Sequence, residues 1–83
     1  MGLRAKIYHA ENCMKCKVTS MQLEIPSEMI LISRTKHINE DIISYMDQKG
    51  LTSAPLVQVF DDDNQLIDEW NDFNLTKIKK YQK

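Results

Sequence analysis

The chain has 83 residues, 42% of them hydrophobic, and a formal net charge of −1. Residues 1–83 make one small domain with a modest core, and two cysteines are too few to staple a disulfide-rich secreted scaffold. The near-neutral balance gives no bulk electrostatic drive toward nucleic acid, and no apolar run is long enough to span a membrane.

Leu3-Arg4-Ala5-Lys6-Ile7-Tyr8 alternates apolar and charged residues and predicts a first strand. His9 to Asn12 form the loop that delivers the chain to Cys13. Asn12 is the expected N-cap of a helix running from about Cys13 to Glu24. Within it Val18, Met21 and Ile25 fall at helical spacing with Leu23 beside them, so Met21 is expected in the core. Pro26 disfavours helical geometry at Ile25 and ends the element.

Glu28-Met29-Ile30-Leu31-Ile32-Ser33 is a short apolar run that fits a strand buried on both faces. Asn39-Glu40-Asp41 then sets a capping residue and two acids before Ile42, Ile43, Tyr45 and Met46, and Gly50 supplies the stop. Leu56-Val57-Gln58-Val59-Phe60 predicts a third strand. Asp61-Asp62-Asp63-Asn64 turns the chain, and Gln65 to Glu69 return as the antiparallel partner. The acid run lacks the glycine and spaced ligands of a calcium loop, so it reads as a solvated hairpin turn. Trp70 to Phe73 read as a linker. Asn74 caps a last helix carrying Leu75, Ile78 and Tyr81, with Lys79, Lys80 and Lys83 near its carboxyl end, where the dipole favours cations.

The resulting order is β-α-β-α-β-β-α: an α/β fold with a four-stranded mixed sheet, flanking helices and a right-handed first crossover. Both cysteines lie in Asn12-Cys13-Met14-Lys15-Cys16. On a helix starting near Cys13 they stack one turn apart, a separation that accommodates a disulfide. Cys13 then sits at the positive end of the helix dipole, where a thiolate is favoured over a thiol, and Lys15 and Lys17 add positive charge. The arrangement suits a first cysteine that attacks and a second that resolves.

The competing reading is half a zinc or soft-metal site, which usually needs a second pair of ligands. Carboxylates aside, only His9 and His37 are available, at a spacing that matches no common finger. Heavy-metal-binding domains usually show Met two residues before the first cysteine, where this chain has Glu11. The motif falls at the carboxyl end of the first strand, where open α/β sheets place their chemistry, and this favours redox over metal. Met1 to Ala10 is too short and too charged for a signal peptide, so a reducing cytosol is expected, where such a disulfide is transient.

Thr52-Ser53-Ala54-Pro55 immediately precedes the third strand, a position that tolerates proline. A cis Ala54-Pro55 bond would turn the chain sharply and leave the Ala54 backbone free to pair with an extended substrate. A trans proline would simply start the strand, and sequence leaves both open. Trp70 is equally open between a core aromatic and a contact residue. Tyr8 reads as packing beside the loop, and His9 as a solvated loop residue rather than a base or ligand.

Cys-x-x-Cys after a strand, Thr-x-x-Pro before the third strand and a closing helix together resemble a glutaredoxin-type thioredoxin fold, over about Lys6 to Tyr81. Within it, Trp70-Asn71-Asp72-Phe73 is similar to the Trp-Ser-Gly-Phe segment of NrdH-type redoxins, with Trp70 and Phe73 in register. The resemblance implies a small monomeric dithiol-disulfide oxidoreductase with Cys13 as nucleophile, Cys16 as resolving thiol and Pro55 as a cis proline. Met14, Lys15, Ala54, Pro55, Trp70 and Phe73 would form the partner-binding surface. No bound cofactor, metal, nucleic acid or membrane is implied. Electrons would come from NADPH through thioredoxin reductase and pass to a protein disulfide such as that of ribonucleotide reductase.

The chain departs from the family pattern at several positions. Met14-Lys15 replaces the Pro-Tyr of typical glutaredoxins and the Val-Gln common in NrdH redoxins, and Asp72 replaces a glycine. Ala10 stands where glutathione-using glutaredoxins usually carry Lys or Arg, and Glu69-Trp70-Asn71 stands where they have a Gly-Gly turn. Both weaken the alternative of a glutathione-dependent glutaredoxin, although Lys15 could substitute for the missing cation.

Overall fold

In the computed structural model, which describes residues 2–82, the expected order of elements is found. They are β1 (Arg4–His9), α1 (Met14–Gln22), β2 (Ser27–Leu31), α2 (Glu40–Gln48), β3 (Leu56–Phe60), β4 (Leu66–Asn71) and α3 (Leu75–Lys80). The expected part of Lys83 in the last helix end lies outside the described residues. No helix among the described residues is long and apolar enough to cross a membrane.

The strands form one mixed sheet in the order β2-β1-β3-β4. β1 runs parallel to β2, with Ala5 opposite Ser27 and His9 opposite Leu31. β3 runs antiparallel to both β1 and β4. Because side chains alternate along a strand, the two central strands serve two cores at once. Ala5, Ile7, Val57 and Val59 face one side, where Trp70, Leu23 and Ile78 join them. Tyr8 and Leu56 face the other, against Ile32, Ile43 and Met46. Ile7, Leu56, Val57 and Val59 are fully buried. Burying each side chain of this kind contributes about 1.5–3 kcal/mol before conformational entropy is subtracted.

The second strand differs from its expected form. β2 is an edge strand paired only with β1, and its residues Ser27 to Met29 are exposed. Burial grows only toward Ile30 and Leu31 and is complete at Ile32, just past the strand. An apolar run reports burial somewhere along its length, without saying whether both neighbours are present. Met21 is likewise on the surface, at 73% exposure. The buried stripe of α1 is Cys16 and Thr19, continued by Leu23 just beyond the helix, so Met21 falls on the opposite side.

The third difference is at Trp70, which belongs to β4 and pairs with Val57. Extending the strand through Asn71 places the indole over the first core, where it stacks on Tyr81 with ring centroids 5.9 Å apart. The turn before β4 has the expected chemistry. The Asp61 carboxylate accepts from the N–H groups of Asp63 and Gln65, at 2.9 and 3.0 Å.

Helix ends follow local chemistry. Asn74 accepts from the Lys77 N–H at 3.1 Å and caps α3 as expected. Asn39 precedes α2 but does not cap it with its side chain, which donates instead to the Leu31 carbonyl at 2.8 Å. Gly50 closes α2 at φ 72°, and the bonds from Gly50 N to Asp47 O and Leu51 N to Met46 O complete a Schellman end.

Candidate active site

The first link is between strand and helix. β1 ends at His9, and three residues later Asn12 adopts φ 53°. Asparagine tolerates this left-handed turn, which spends Asn12 on redirecting the chain rather than on capping. Cys13 is the N-cap instead. Its backbone is extended and its sulfur accepts the Cys16 N–H at 3.1 Å. Cys13 and Cys16 form a disulfide with a Cα–Cα separation of 5.3 Å.

The two cysteines are unequal. Cys13 is half-buried, whereas Cys16 is 1% exposed and packs into the helix face above Thr19. Thr19, itself fully buried, satisfies its hydroxyl by donating to the Lys15 carbonyl at 2.8 Å. An incoming sulfur therefore meets Cys13 first. A thiolate there would hold the first-turn N–H at the positive helix end, while Cys16 waits beneath it. A cleft of about 400 Å³ opens beside the pair, lined in part by His9, Glu11, Lys17, Ser20 and Met29.

Neighbouring loops are tied to this turn. The Ala54-Pro55 bond is cis, which answers the question left open by sequence. The Pro55 carbonyl accepts the Asp72 N–H at 2.9 Å, and Asn71 donates to the Ser53 carbonyl at 3.3 Å. Lys15 reaches across to Asp72 at 2.5 Å, and Lys36 reaches Glu11 at 3.0 Å. The Lys15 ammonium, helped by the Phe73 N–H, holds the Asp72 carboxyl below its ordinary range. The Cys13–Cys16 turn is thus linked on one side to the β4–α3 loop and on the other to the β2–α2 connection.

The expected contact residues separate into two groups. Met14 and Phe73 are exposed, at 69% and 39%, and Lys15 is exposed beside Asp72. Ala54 is half-buried and Pro55 buried, so their contribution to a surface is backbone rather than side chain. Trp70 is only 5% exposed and belongs to the core, which removes its ring from the expected contact surface. His9 ends β1 half-buried, with its ring nitrogen near the Ala10 carbonyl at 3.3 Å. Tyr8 is buried as packing. Desolvation first, then the charges of Glu28 and Asp41, push its hydroxyl above the ordinary tyrosine range.

Sequence reasoning does not reach the pairings of Asp72 and Glu11. The available signal was opposite charge in loops that the fold converges at one end of the sheet. A larger groove of about 520 Å³ borders the same end, floored by Ile32, Ile43, Met46 and Leu51, and neither cysteine lines it. Among the described residues no group of three or more His, Cys, Asp or Glu gathers in a way that could hold a metal ion.

No family model matches the chain, and no curated protein matches it by sequence. Solved structures do match in shape. Thioredoxin f2 of Chlamydomonas reinhardtii superimposes with a TM-score of 0.64 at 12% identity, over 94% of this chain and 73% of that one. The exposed lipoprotein thioredoxin of Streptococcus pneumoniae gives 0.57 at 11% identity, over 95% and 84%. A malarial protein gives 0.53 at 15% identity, over 98% of each chain. The fold is thioredoxin-like, and its Cys-x-x-Cys disulfide lies at the start of α1.

Proposed function

We propose that this chain is a small thiol-disulfide oxidoreductase that reduces protein disulfides. The carrying observation is the asymmetry of the Cys13–Cys16 pair, one cysteine half-buried at a helix N-terminus and the other buried within the first turn. In the reduced protein Cys13 attacks a substrate disulfide and forms a mixed disulfide, releasing one thiolate. Cys16 then attacks the Cys13 sulfur, releases the second thiolate and leaves the pair oxidised. Each cycle moves two electrons to the substrate.

Met14, Lys15, Phe73 and the Ala54-Pro55 backbone supply the surrounding partner surface in this reading. Its finer form is an NrdH-type redoxin, supported by the sequence likeness around Trp70-Asn71-Asp72-Phe73. The electrons would then come from NADPH through a thioredoxin reductase and pass to a protein such as ribonucleotide reductase, in a reducing compartment such as the cytosol, with the redoxin acting as a monomer.

The test is NADPH-dependent disulfide reduction, with thioredoxin reductase in one reaction and with glutathione and its reductase in another. Cys13→Ser runs beside the wild type in both. Turnover with thioredoxin reductase alone is expected. Turnover with glutathione alone would make the chain a glutaredoxin. Wild type no faster than Cys13→Ser in either would refute the oxidoreductase reading.

A further inference from the structure

Three lysines stand near the redox turn, and they are not equivalent. Lys36 is paired with Glu11 and Lys15 with Asp72. Lys17 lines the cleft beside Cys13 with no carboxylate partner among the described residues. Of the two acids paired at the turn, Asp72 has the more hydrogen bonds. Its N–H is bonded to the Pro55 carbonyl at 2.9 Å, and its Oδ1 takes both the Phe73 N–H at 2.8 Å and the Lys15 ammonium at 2.5 Å. Its backbone sits in the left-handed region at φ 65°. An anionic group approaching Lys15 meets a cation already paired with a carboxylate.

Resting on the oxidoreductase reading, we infer that Asp72 is a charge-selectivity residue: by neutralising Lys15 and holding a carboxylate on the rim between the redox turn, Pro55 and Phe73, it lowers the site's acceptance of disulfides flanked by carboxylates, glutathione-like peptides included, relative to neutral ones. Asp72 acts on which substrate is accepted and takes no part in bond making. The chemistry is unchanged for every substrate. The Cys13 thiolate bonds to one sulfur, the substrate S–S bond breaks, and the departing thiolate is protonated by solvent. Cys16 gives its proton to solvent and bonds to Cys13, the second thiolate leaves, and the cysteine pair ends two electrons poorer.

The test uses full-length protein reduced beforehand, freed of reductant and allowed a single turnover. Three symmetrical disulfides of similar length differ chiefly in charge: cystamine, bis(2-hydroxyethyl) disulfide and 3,3′-dithiodipropionate, and their different leaving thiols cancel when the ratio is compared between variants. The readout is the rate ratio of the dianion to the neutral compound, in wild type, Asp72→Asn and Lys15→Gln. A change in the reactivity of Cys13 or a loosened loop alters both rates and cancels in that ratio. Asparagine also keeps the tolerance for positive φ.

Removing one charge at roughly 6 Å in water changes a rate about threefold, so Asp72→Asn should raise the ratio by that factor. Lys15→Gln, which leaves Asp72 unneutralised, should lower it. Both shifts should shrink in about 1 M salt, where the screening length is about 3 Å. A ratio that Asp72→Asn leaves unchanged, with the neutral compound still reduced, would overturn the inference alone. A wild type that reduces none of the three would bring down the oxidoreductase reading and this inference with it.

Discussion

The sulfur of Cys13 accepts the backbone N–H of Cys16 at 3.1 Å, so each cysteine positions the other before any substrate arrives. One is the cap of α1 and the other lies in its first turn, buried. The order of reaction follows from this. After reduction, a small alkylating agent should modify Cys13 first and Cys16 only on a much slower timescale, as peptide mass mapping would show. Cys16→Ser should still attack but accumulate the mixed disulfide, whereas Cys13→Ser should form none. Equal labelling of both thiols would contradict the asymmetry.

Trp70 supports the fold rather than the surface. Its ring is buried among Ile7, Val57 and Ile78 and stacks on Tyr81. Trp70→Ala should destabilise the protein by about 3–5 kcal/mol, read from the midpoint of a urea transition. The indole Nε1 is buried without a hydrogen-bond partner among the described residues, so Trp70→Phe removes a polar group along with part of the ring. It should cost clearly less than the alanine change and leave disulfide reduction per folded molecule at the wild-type level. A loss of reduction with stability intact would place the ring in the contact surface after all.

The order of elements is legible because each carries its own local signal. Leu56–Phe60 coincides with β3 residue for residue, since an uninterrupted apolar run bounded by Pro55 and an acidic turn has few other uses. The Cys13–Cys16 disulfide is legible for the same reason, its geometry being set within one helical turn. Quantities that depend on distant partners were not legible. Nothing within Glu28–Ser33 says that β2 has a neighbour on one side only. Trp70 is claimed by a strand because Val57 pairs with it, and by a core because Tyr81 stacks on it. Lys15 and Asp72 are 57 residues apart, and only the folded sheet makes them one ion pair.

Gly50 offers a local test of the α2 end. Its φ of 72° lies in the left-handed region, yet a Cβ built there would meet nothing within 4 Å. Any cost of Gly50→Ala is therefore conformational rather than steric crowding by neighbours. It should amount to about 1–2 kcal/mol, with Gly50→Asn costing less because asparagine visits this region more readily. Thermal or urea unfolding of the two variants measures the difference. Equal stability of wild type and Gly50→Ala would mean that α2 ends in solution by another route.

Asp68 ties the sheet to α3. Its side chain, 9% exposed, accepts from Lys77 at 2.6 Å, from the Tyr81 hydroxyl at 2.7 Å and from Lys80 at 3.4 Å. Burial works against its charge, but the hydrogen bonds from Lys77, Tyr81 and the Glu69 N–H, with the charge of Lys77, outweigh that and bring it to about 2. The folded value lies below the ordinary 3.8, so the folded state releases this proton more readily. The stabilisation is present above 3.8 and is lost as pH falls toward 2. Tyr81 has the opposite sign. Desolvation first, then the bond to Asp68, raises it from 10.0 to about 12, so its contribution is complete below 10.0 and is lost as pH rises through 12. Asp68→Asn should cost about 1–3 kcal/mol at neutral pH, as expected for hydrogen bonds to a charged group. It should also flatten the acid limb of the stability–pH curve. Tyr81→Phe should cost about 1 kcal/mol and flatten the alkaline limb while leaving much of the acid limb to Lys77. Urea unfolding across pH gives both curves, and an Asp68→Asn protein with the wild-type acid limb would show that other carboxylates control it.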